Sequence, residues 1–192
     1  MTFTVDQLRI IMPKSGKRAE LFVHYLEQAM AEFGIDTPKR MVAFLSTVCV
    51  ESGQLVYMEE LANGSAYDTR VDLGNTKAAA IEIAAQHGST PGRWWKGHGP
   101  IQITGYDNHR VCGEALELDL LHNPQFLTQP EHGCRSAGWF WKRNNLNKWA
   151  DTEDWDGVRD VVNRGHKTAK IGDSNGYQEF LHAVARGAVA MM

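Results

Sequence analysis

Residues 38–53 read PKRMVAFLSTVCVESG, and this stretch decides the fold. Thr37 in front of Pro38 is a strong helix start, because threonine caps helix N-termini and proline suits the first helical position. From there to Glu51 the segment is apolar on almost every side, which predicts a buried helix at the centre of the protein. The Ser-Gly pair that follows predicts a break. Glu51 is therefore either a surface charge at a helix end or a carboxylate placed there for chemistry.

The rest of the chain is mostly helical by the same criteria. Apolar residues recur at helical spacing in several segments, with glycines or capping residues at their ends. Residues 62–76 are rich in turn formers. Residues 97–105 contain three glycines, a proline and alternating isoleucines, which predicts an extended segment or a small hairpin. The sequence predicts one mainly α domain, 1–192, with helices over 19–33, 38–51, 77–86, 106–118, 129–143, 154–163 and 176–190.

Composition restricts the classes of function. The chain has 192 residues, of which 43% are hydrophobic and 22% are charged, and its net charge is −3. These values are typical of one globular domain, and the scattered basic residues predict no nucleic-acid partner. No segment approaches the apolar length of a membrane span, and the N-terminus lacks a secretory pattern. We therefore expect synthesis in the cytoplasm and no stable membrane association.

The cysteines do not suggest a metal or a disulfide framework. Cys49, Cys112 and Cys134 are odd in number and unrelated in spacing, so we expect free thiols. Cys49 is close to Glu51, but no base is placed to activate it, and a thiol in an apolar helix is usually inert. No CxxC or HxxxH pair is present to hold zinc. We expect neither a metal nor an organic cofactor.

Glu51, Glu59 and Glu60 raise the question of a carboxylate pair. On an unbroken helix Glu51 and Glu60 would point to opposite sides, but the break after Glu51 allows both to line one cleft. Glycoside hydrolysis needs one protonated carboxyl and one ionised carboxylate. Glu51, at the end of an apolar helix, suits the acid, and Glu60, beside polar residues, suits the base. The alternative is that all three are solvated helix-end charges.

The segment GHGPIQITGYDN, residues 97–108, is the second unusual feature. In an extended segment alternate side chains share a face, so Gln102 and Thr104 should point together while Ile101 and Ile103 point into the core. An amide beside a hydroxyl can hold a sugar or position a water. A packed hairpin with two outward polar residues explains the pattern equally well.

The order VESG, Glu60, GHGPIQITGYDNH and VVNRG resembles glycoside hydrolase family 19, the group of plant-type chitinases. It is most similar to the branch found as phage endolysins, which degrade peptidoglycan. The resemblance covers residues 38–165, and the GPIQIT block is its most specific part. It implies a lysozyme-like, family 19 chitinase-like fold, with two lobes in one domain and a small hairpin.

The resemblance implies roles for individual residues. By position, Glu51 is the general acid and Glu60 the general base of an inverting hydrolase. In the endolysin branch the second glutamate lies nine residues after the first, which selects Glu60 over Glu59. The resemblance also implies that Thr104 helps to hold the attacking water, and that the glycan is contacted by Gln102, Asn108 and Asn163.

Other side chains near these motifs have two readings each. Tyr67 and Arg70 are candidates for hydrogen bonds to substrate or to the base. Arg70 beside Glu60 would keep that carboxylate ionised, although a surface ion pair is equally consistent with the sequence. Trp94-Trp95 could stack on sugar rings, but such a pair more often packs inside the protein. Trp139, on a predicted helix, is expected in the core or in packing between the lobes.

The sequence also departs from the family pattern. Val50 replaces a histidine, Gln54 replaces a glycine, Asn163-Arg164-Gly165 replaces an NGG-type turn, and His98 replaces an arginine. Histidine lacks the fork of donors that a guanidinium offers. His98 is a candidate substrate contact, and beside a glutamate it would titrate in the working pH range. Because both glutamates and the QIT segment are retained, we expect an active enzyme.

The predicted function is that of a muramidase-type endolysin. It would cut the peptidoglycan glycan strand as a monomer, acting on the cell wall from the periplasmic side after release by a holin-type partner. A chitinase acting on GlcNAc polymers is the alternative among enzymes. A non-catalytic glycan-binding relative, favoured by the substitutions at Val50 and His98, is the alternative from another class.

Overall fold

A computed structural model describes residues 3–191 of the chain, and this part contains ten α-helices. In chain order they are α1 (Val5–Ile11), α2 (Arg18–Glu32), α3 (Pro38–Glu51), α4 (Ala78–Gln86), α5 (Pro91–Trp94), α6 (Tyr106–Leu116), α7 (Pro130–Arg143), α8 (Asn147–Asp151), α9 (Trp155–Arg164) and α10 (Tyr177–Ala190). Three short 3-10 turns lie at Ser65–Tyr67, Val71–Leu73 and Pro124–Thr128. The mainly α prediction is confirmed.

All seven predicted helices are present, with ends that differ by at most two residues. The central apolar helix runs over Pro38–Glu51 as predicted, and the hydroxyl of Thr37 accepts a hydrogen bond from the amide of Arg40. Three shorter helices, α1, α5 and α8, were not predicted. They have seven, four and five residues, which is too short for a clear hydrophobic period.

Helix α3 lies at the centre of the larger hydrophobic core. It packs against α10, α8, α1 and α9, while α2 packs against α7 beside it. Ala43, Phe44, Leu45 and Val48 of α3 are fully buried, and the Phe44 ring meets Trp141 of α7 edge-on at 5.6 Å. Such burial on nearly every side explains why α3 lacks a polar face.

Two smaller hydrophobic clusters form the second lobe. One contains Cys112, Leu116, Leu120 and Leu127, and the other surrounds Trp95. The hairpin at residues 98–103 joins the lobes: Ile101 belongs to the large core and Ile103 to the first small cluster. The hairpin therefore lies where the chain passes from one hydrophobic core to the other. Within residues 3–191, no helix is long and apolar enough to span a membrane.

Candidate active site

A left-handed turn ends α3 directly after Glu51. The hydroxyl of Ser52 donates to the carbonyl of Val48 at 2.5 Å and accepts from the amide of Leu55 at 2.7 Å. The next three residues, Gly53, Gln54 and Leu55, have φ angles of 56°, 66° and 66°. Left-handed residues cannot continue a right-handed helix, so the predicted break is confirmed. Gln54 thus takes a conformation that glycine adopts at lower cost.

The carboxylate of Glu51 is held by a buried arginine. Arg159 of α9, whose side chain is 1% exposed, donates from Nη1 to Glu51 Oε1 at 2.6 Å. Its Nη2 donates to the carbonyl of Asn175. The Glu51 side chain is 23% exposed. The carboxyl therefore ends an apolar helix, as expected, but it faces a buried guanidinium that would otherwise be unpaired.

Glu51 lines a cleft of about 440 Å³, which we call the Glu51 cleft. Two residues predicted to contact the glycan, Gln102 and Asn163, line the same cleft. Asn163 is exposed and lies one helical turn after Arg159 on α9. The cleft therefore brings together residues from α3, the hairpin and α9 that are far apart in the sequence.

Glu60 is held by two neutral donors. Its Oε1 accepts from the hydroxyl of Tyr67 at 2.9 Å, and its Oε2 accepts from the amide of Gly97 at 3.0 Å. The main chain pairs as well, with the Glu60 amide donating to the Gly97 carbonyl at 2.8 Å. Burial, followed by the hydrogen bond to Glu60, raises the pKa of Tyr67, so the phenol remains a donor. Of the two contacts predicted for Tyr67, the one with Glu60 is present.

Glu59 and Arg70 are engaged elsewhere. Glu59 is exposed and pairs with Lys96 at 2.8 Å, so the two adjacent glutamates have different partners. Arg70 is exposed and pairs with Asp72 through Nε at 2.7 Å and Nη2 at 2.5 Å. The prediction that Arg70 holds Glu60 ionised is wrong, because its guanidinium closes a local ion pair two residues away.

The segment around Gln102 is a tight hairpin rather than a strand. His98 and Ile103 exchange main-chain hydrogen bonds of 3.0 and 2.9 Å. The main chain of His98 also forms an isolated antiparallel β-bridge with Glu59. Gln102, with φ of 58°, lies in the turn between His98 and Ile103. Ile101 and Ile103 are buried while Gln102 and Thr104 are accessible, so the predicted sidedness is confirmed although its cause is a turn.

Polar side chains brace this hairpin. Gln102 Nε2 donates to the Gly99 carbonyl at 2.8 Å, and the Thr104 hydroxyl donates to the Gln102 carbonyl at 3.0 Å. Asn108 Nδ2 in turn donates to the Thr104 carbonyl at 2.8 Å. These bonds orient the three side chains predicted to hold water and glycan, and leave their remaining lone pairs for a ligand.

Gly97 connects Glu60 to the Glu51 cleft. Its amide donates to Glu60, and a Cβ at this position would lie 2.5 Å from Oε1 of Gln102. The amide group of Gln102 and the carboxylate of Glu60 therefore flank one glycine. Gln102 also lines the Glu51 cleft, whereas Glu60 lines a separate depression with Glu59 and Lys96, so Gly97 and Gln102 are the link between the two glutamates.

The cleft continues along α7. Gln102, Thr104 and Asn108 line a second depression of about 190 Å³ together with Trp139, Phe140, Arg143 and Asn144. The guanidinium carbon of Arg143 lies 5.3 Å from the centre of the Trp139 ring. Trp139 packs against the first small cluster, within the range expected, and its exposed part could support a sugar face.

His98 is not a surface group. It is 3% exposed, and its Nδ1 lies 3.2 Å from Nε2 of His109, whose own Nδ1 lies 2.9 Å from the Gly105 carbonyl. Because a carbonyl only accepts, His109 carries its proton on Nδ1 and accepts from His98. Burial lowers the pKa of His98 to about 4 and that of His109 to about 3. The predictions that His98 contacts substrate and titrates in the working range are both wrong.

The Trp94-Trp95 pair has a structural role, and the cysteines are buried. Trp94 stacks on His87 at 4.1 Å and donates to the Leu121 carbonyl, and Trp95 is fully buried. All three cysteines are free and buried, and burial raises the pKa of Cys112 to about 12. Among residues 3–191, no three His, Cys, Asp or Glu side chains are grouped to hold a metal ion.

Two residues of the site were missed by sequence reasoning. Arg159 orients Glu51, and its position one helical turn before Asn163 is the signal that could have identified it. The buried Asn75 accepts from the Tyr106 amide at 2.9 Å and donates to the Tyr67 carbonyl at 2.8 Å. It thereby fixes the Glu60 side of the site to α6. No local pattern identifies Asn75, since it lies among other turn formers.

The sequence profile described as chitinase class I, of glycoside hydrolase family 19, matches residues 33–158, which is more than half of the chain. The chain belongs to glycoside hydrolase family 19. An endochitinase of Arabidopsis thaliana is 30% identical to it over 179 residues, which cover 86% of this chain and 54% of that protein. Endochitinase 4 of Solanum tuberosum is 48% identical over 52 residues, covering 27% and 17% of the two chains. The chain thus spans about half the length, or less, of these family 19 relatives.

Solved structures share the fold of this family 19 chain. Chitinase C from Streptomyces griseus superposes with a TM-score of 0.72 at 18% identity, covering 98% of this chain and 76% of the other. A bacterial family 19 chitinase gives 0.72 at 20% identity, with 100% and 95% coverage. The class IV chitinase from Zea mays gives 0.67 at 16% identity, with 99% and 92% coverage. The expected lysozyme-like, chitinase-like architecture is confirmed.

Proposed function

We propose that this chain hydrolyses β-1,4 bonds between N-acetylated amino sugars by inversion, and that its substrate is the glycan strand of peptidoglycan. The observation that carries the proposal is that Glu51 shares a cleft with Gln102, while Gln102 and Glu60 both adjoin Gly97. Glu51 is held by Arg159, whereas Glu60 accepts from Tyr67 and Gly97. Two carboxylates in different surroundings are what direct displacement by water requires.

The hydrogen bonds suggest how the acid acts. Only Oε1 of Glu51 is bound by Arg159 among the described residues, so Oε2 is the oxygen free to take up a proton from water and to pass it to the leaving glycosidic oxygen. Arg159 fixes the carboxyl plane, and fixed orientation is worth a large part of the rate enhancement in such sites.

The base side of the proposal rests on Glu60. Both of its oxygens act as acceptors, as an ionised carboxylate does, and each retains a lone pair for water. Thr104, on the accessible side of the hairpin, is proposed to hold that water together with Glu60. The glycan would be held by Gln102, Asn108 and Asn163, with Trp139 as an added stacking surface.

The choice of polymer rests on the spacing of the two glutamates. The nine-residue separation of Glu51 and Glu60 is the one found in the endolysin branch that the sequence resembles, and it supports peptidoglycan and a lytic role. Chitin is the second candidate, because the relatives are named endochitinases. In a lytic role, delivery to the cell wall by a holin-type protein is part of the proposal.

The proposal is tested with purified sacculi and with chitin hexamer as parallel substrates. We expect release of reducing ends from sacculi, and a loss of at least about 100-fold in kcat for Glu51→Gln and for Glu60→Gln. Glu59→Gln is the matched control and should retain activity, because Glu59 pairs with Lys96. Mass spectrometry of the products then identifies the bond: a MurNAc reducing end means a muramidase. Cleavage of the chitin hexamer alone would replace peptidoglycan by chitin, and equal clearing by all variants would refute the assignment of Glu51 and Glu60.

A further inference from the structure

A second cavity, of about 400 Å³, adjoins the Glu51 cleft. Val50 lines both, so we call the second one the Val50 cavity. The cavity is lined by the end of α3, by the left-handed turn that follows it, by Lys14 and by one face of α10. A Cβ on Gly176, at the start of α10, would lie 2.7 Å from Val50, so this valine fills the gap between α3 and α10.

The Val50 cavity holds cations that lack a carboxylate partner. Lys14 and Arg186 both line it, and neither lies within 4 Å of a carboxylate in residues 3–191, where sixteen other ion pairs form. Arg186 is partly buried and is fixed by its Nε, which donates to the Ile11 carbonyl at 3.0 Å. A positioned, partly desolvated guanidinium is the group that best binds a carboxylate.

The floor of the cavity does not supply the missing anion. Arg186 Nη2 lies 3.9 Å from the sulfur of Cys49, but burial raises the pKa of that thiol, which therefore stays neutral. Glu179, on the same face of α10, is the only acidic side chain among the described residues that line the cavity. With two cations against one anion, the cavity suits a ligand that offers carboxylates and has room for one amine.

We propose that the Val50 cavity binds the peptide stem of peptidoglycan through a stem carboxylate. The inference rests on the proposed action on peptidoglycan. The stem hangs from the lactyl group of muramic acid, so it is a substituent of a sugar lying in the adjacent Glu51 cleft. Arg186 and Lys14 take the carboxylate, and Glu179 faces the amine of a stem residue. Chitin carries no charged substituent, so the cavity would contribute nothing to its binding.

The volume of the cavity agrees with such a ligand. A space of about 400 Å³ lies within the range that holds drug-sized molecules, and a stem of a few residues is of that size. Tyr57, whose ring packs on Gly53, gives the cavity one aromatic wall. The remaining side is open, as a chain that continues into a cross-linked polymer requires.

Charge reversal at Lys14 tests the proposal without risk to the fold. Its side chain is exposed, and only its main-chain amide is used, donating to Gln54 at 2.7 Å. Lys17→Glu is the matched control, since Lys17 is exposed three residues away and does not line the cavity. The substrates are intact glycan strands from sacculi and the same strands after an amidase has removed the stems.

We expect Lys14→Glu to lower kcat/KM on stem-bearing strands by roughly tenfold, as loss of a charged hydrogen bond does, and to change it less than about twofold on stripped strands. Lys17→Glu should change neither. Equal effects of Lys14→Glu on both substrates, or no effect on either, would overturn the proposal.

A binding experiment separates this inference from the proposed function. If the wild-type chain cleaves neither kind of strand, the proposed function fails, and titration with free stem tetrapeptide decides about the cavity. Binding that is about tenfold weaker in Lys14→Glu supports the site without catalysis. Absent binding, or equal binding in both proteins, refutes it.

Discussion

Arg159 donates to Oε1 of Glu51 across 2.6 Å from a position that is 1% exposed. A guanidinium at this depth depends on its anion, since a buried charge without a partner is strongly destabilising. The candidate acid therefore has a structural role in addition to its chemical one, and loss of activity in a Glu51 variant has to be separated from loss of folding.

Glu51→Gln is expected to lower the free energy of unfolding by about 2 kcal/mol, because Arg159 loses its counter-ion in a partly water-accessible pair. Glu60→Gln should cost less than about 1 kcal/mol, since its partners are neutral: the amide oxygen can accept from the Gly97 amide, and the amide NH2 can donate to the Tyr67 oxygen. Urea unfolding at pH 7 measures both variants. A larger loss in Glu60→Gln would contradict this assignment of partners.

Tyr67→Phe removes the hydroxyl that donates to Glu60. We expect kcat to fall by about tenfold, because the carboxylate loses one of two bonds that orient it. Arg70→Gln is the control three residues away, and its activity should be unchanged because Arg70 pairs with Asp72. Initial rates on sacculi measure both. If Arg70→Gln were as slow as Tyr67→Phe, the corrected role of Arg70 would be wrong.

Gly97→Ala should lower activity by displacing Gln102, because the new Cβ would lie 2.5 Å from the Gln102 amide oxygen. Gln102→Ala should also lower activity, through loss of a glycan contact. In the double variant, which carries both Gly97→Ala and Gln102→Ala, the two losses of activity should be much less than additive. Alanine at position 102 has no amide oxygen for the new Cβ to clash with. Measurement of kcat/KM for the three variants completes the cycle. Additive losses would show that Gly97 and Gln102 act independently.

The buried histidines predict the response of stability to acid. His98 and His109 have folded-state pKa values of about 4 and about 3, below the ordinary 6.5. Between pH 6.5 and 4 the unfolded chain therefore binds more protons than the folded one, and stability falls as the pH falls. For His98 alone, the lowered pKa corresponds to about 3 kcal/mol of the free energy of unfolding. This contribution is fully present above pH 6.5 and is lost as the pH falls to about 4.

Urea unfolding at several pH values between 4 and 7.5 measures this dependence. His98→Asn should reduce the slope across that window, because asparagine does not titrate. His166→Asn is the control at an exposed histidine and should leave the slope as it is. An unchanged slope in His98→Asn would mean that other groups govern the acid response.

Elements with a strong local signal were predictable from the sequence. α3 is defined by a capped start, an apolar run and a glycine break, and all three act within a few residues. The sidedness of the hairpin follows from two isoleucines. Side-chain partners were less predictable, because they depend on packing between distant segments. Glu51 meets Arg159, 108 residues away, whereas Arg70 pairs with its local neighbour Asp72 instead of Glu60.

The burial of His98 was not predicted, for a related reason. Its position in a glycine-rich segment suggested an accessible cleft residue, yet the turn buries its ring against His109 of α6. Whether a residue of a tight hairpin faces solvent or the second lobe depends on how the lobes pack. The sequence of the hairpin alone does not contain that information.

The support of Glu51 lies in a part of the chain that the family profile does not cover. That match ends at residue 158, and Arg159 follows it directly. The segment that supplies the Asn175 carbonyl is fastened to α9 through Asp160, which accepts from Thr168 and Ser174. A chain cut at the end of the match would keep both carboxylates and lose the guanidinium that orients one of them. Exchange of residues 159–176 between relatives is thus a way to change the orientation of the candidate acid while the matched residues 33–158 stay as they are.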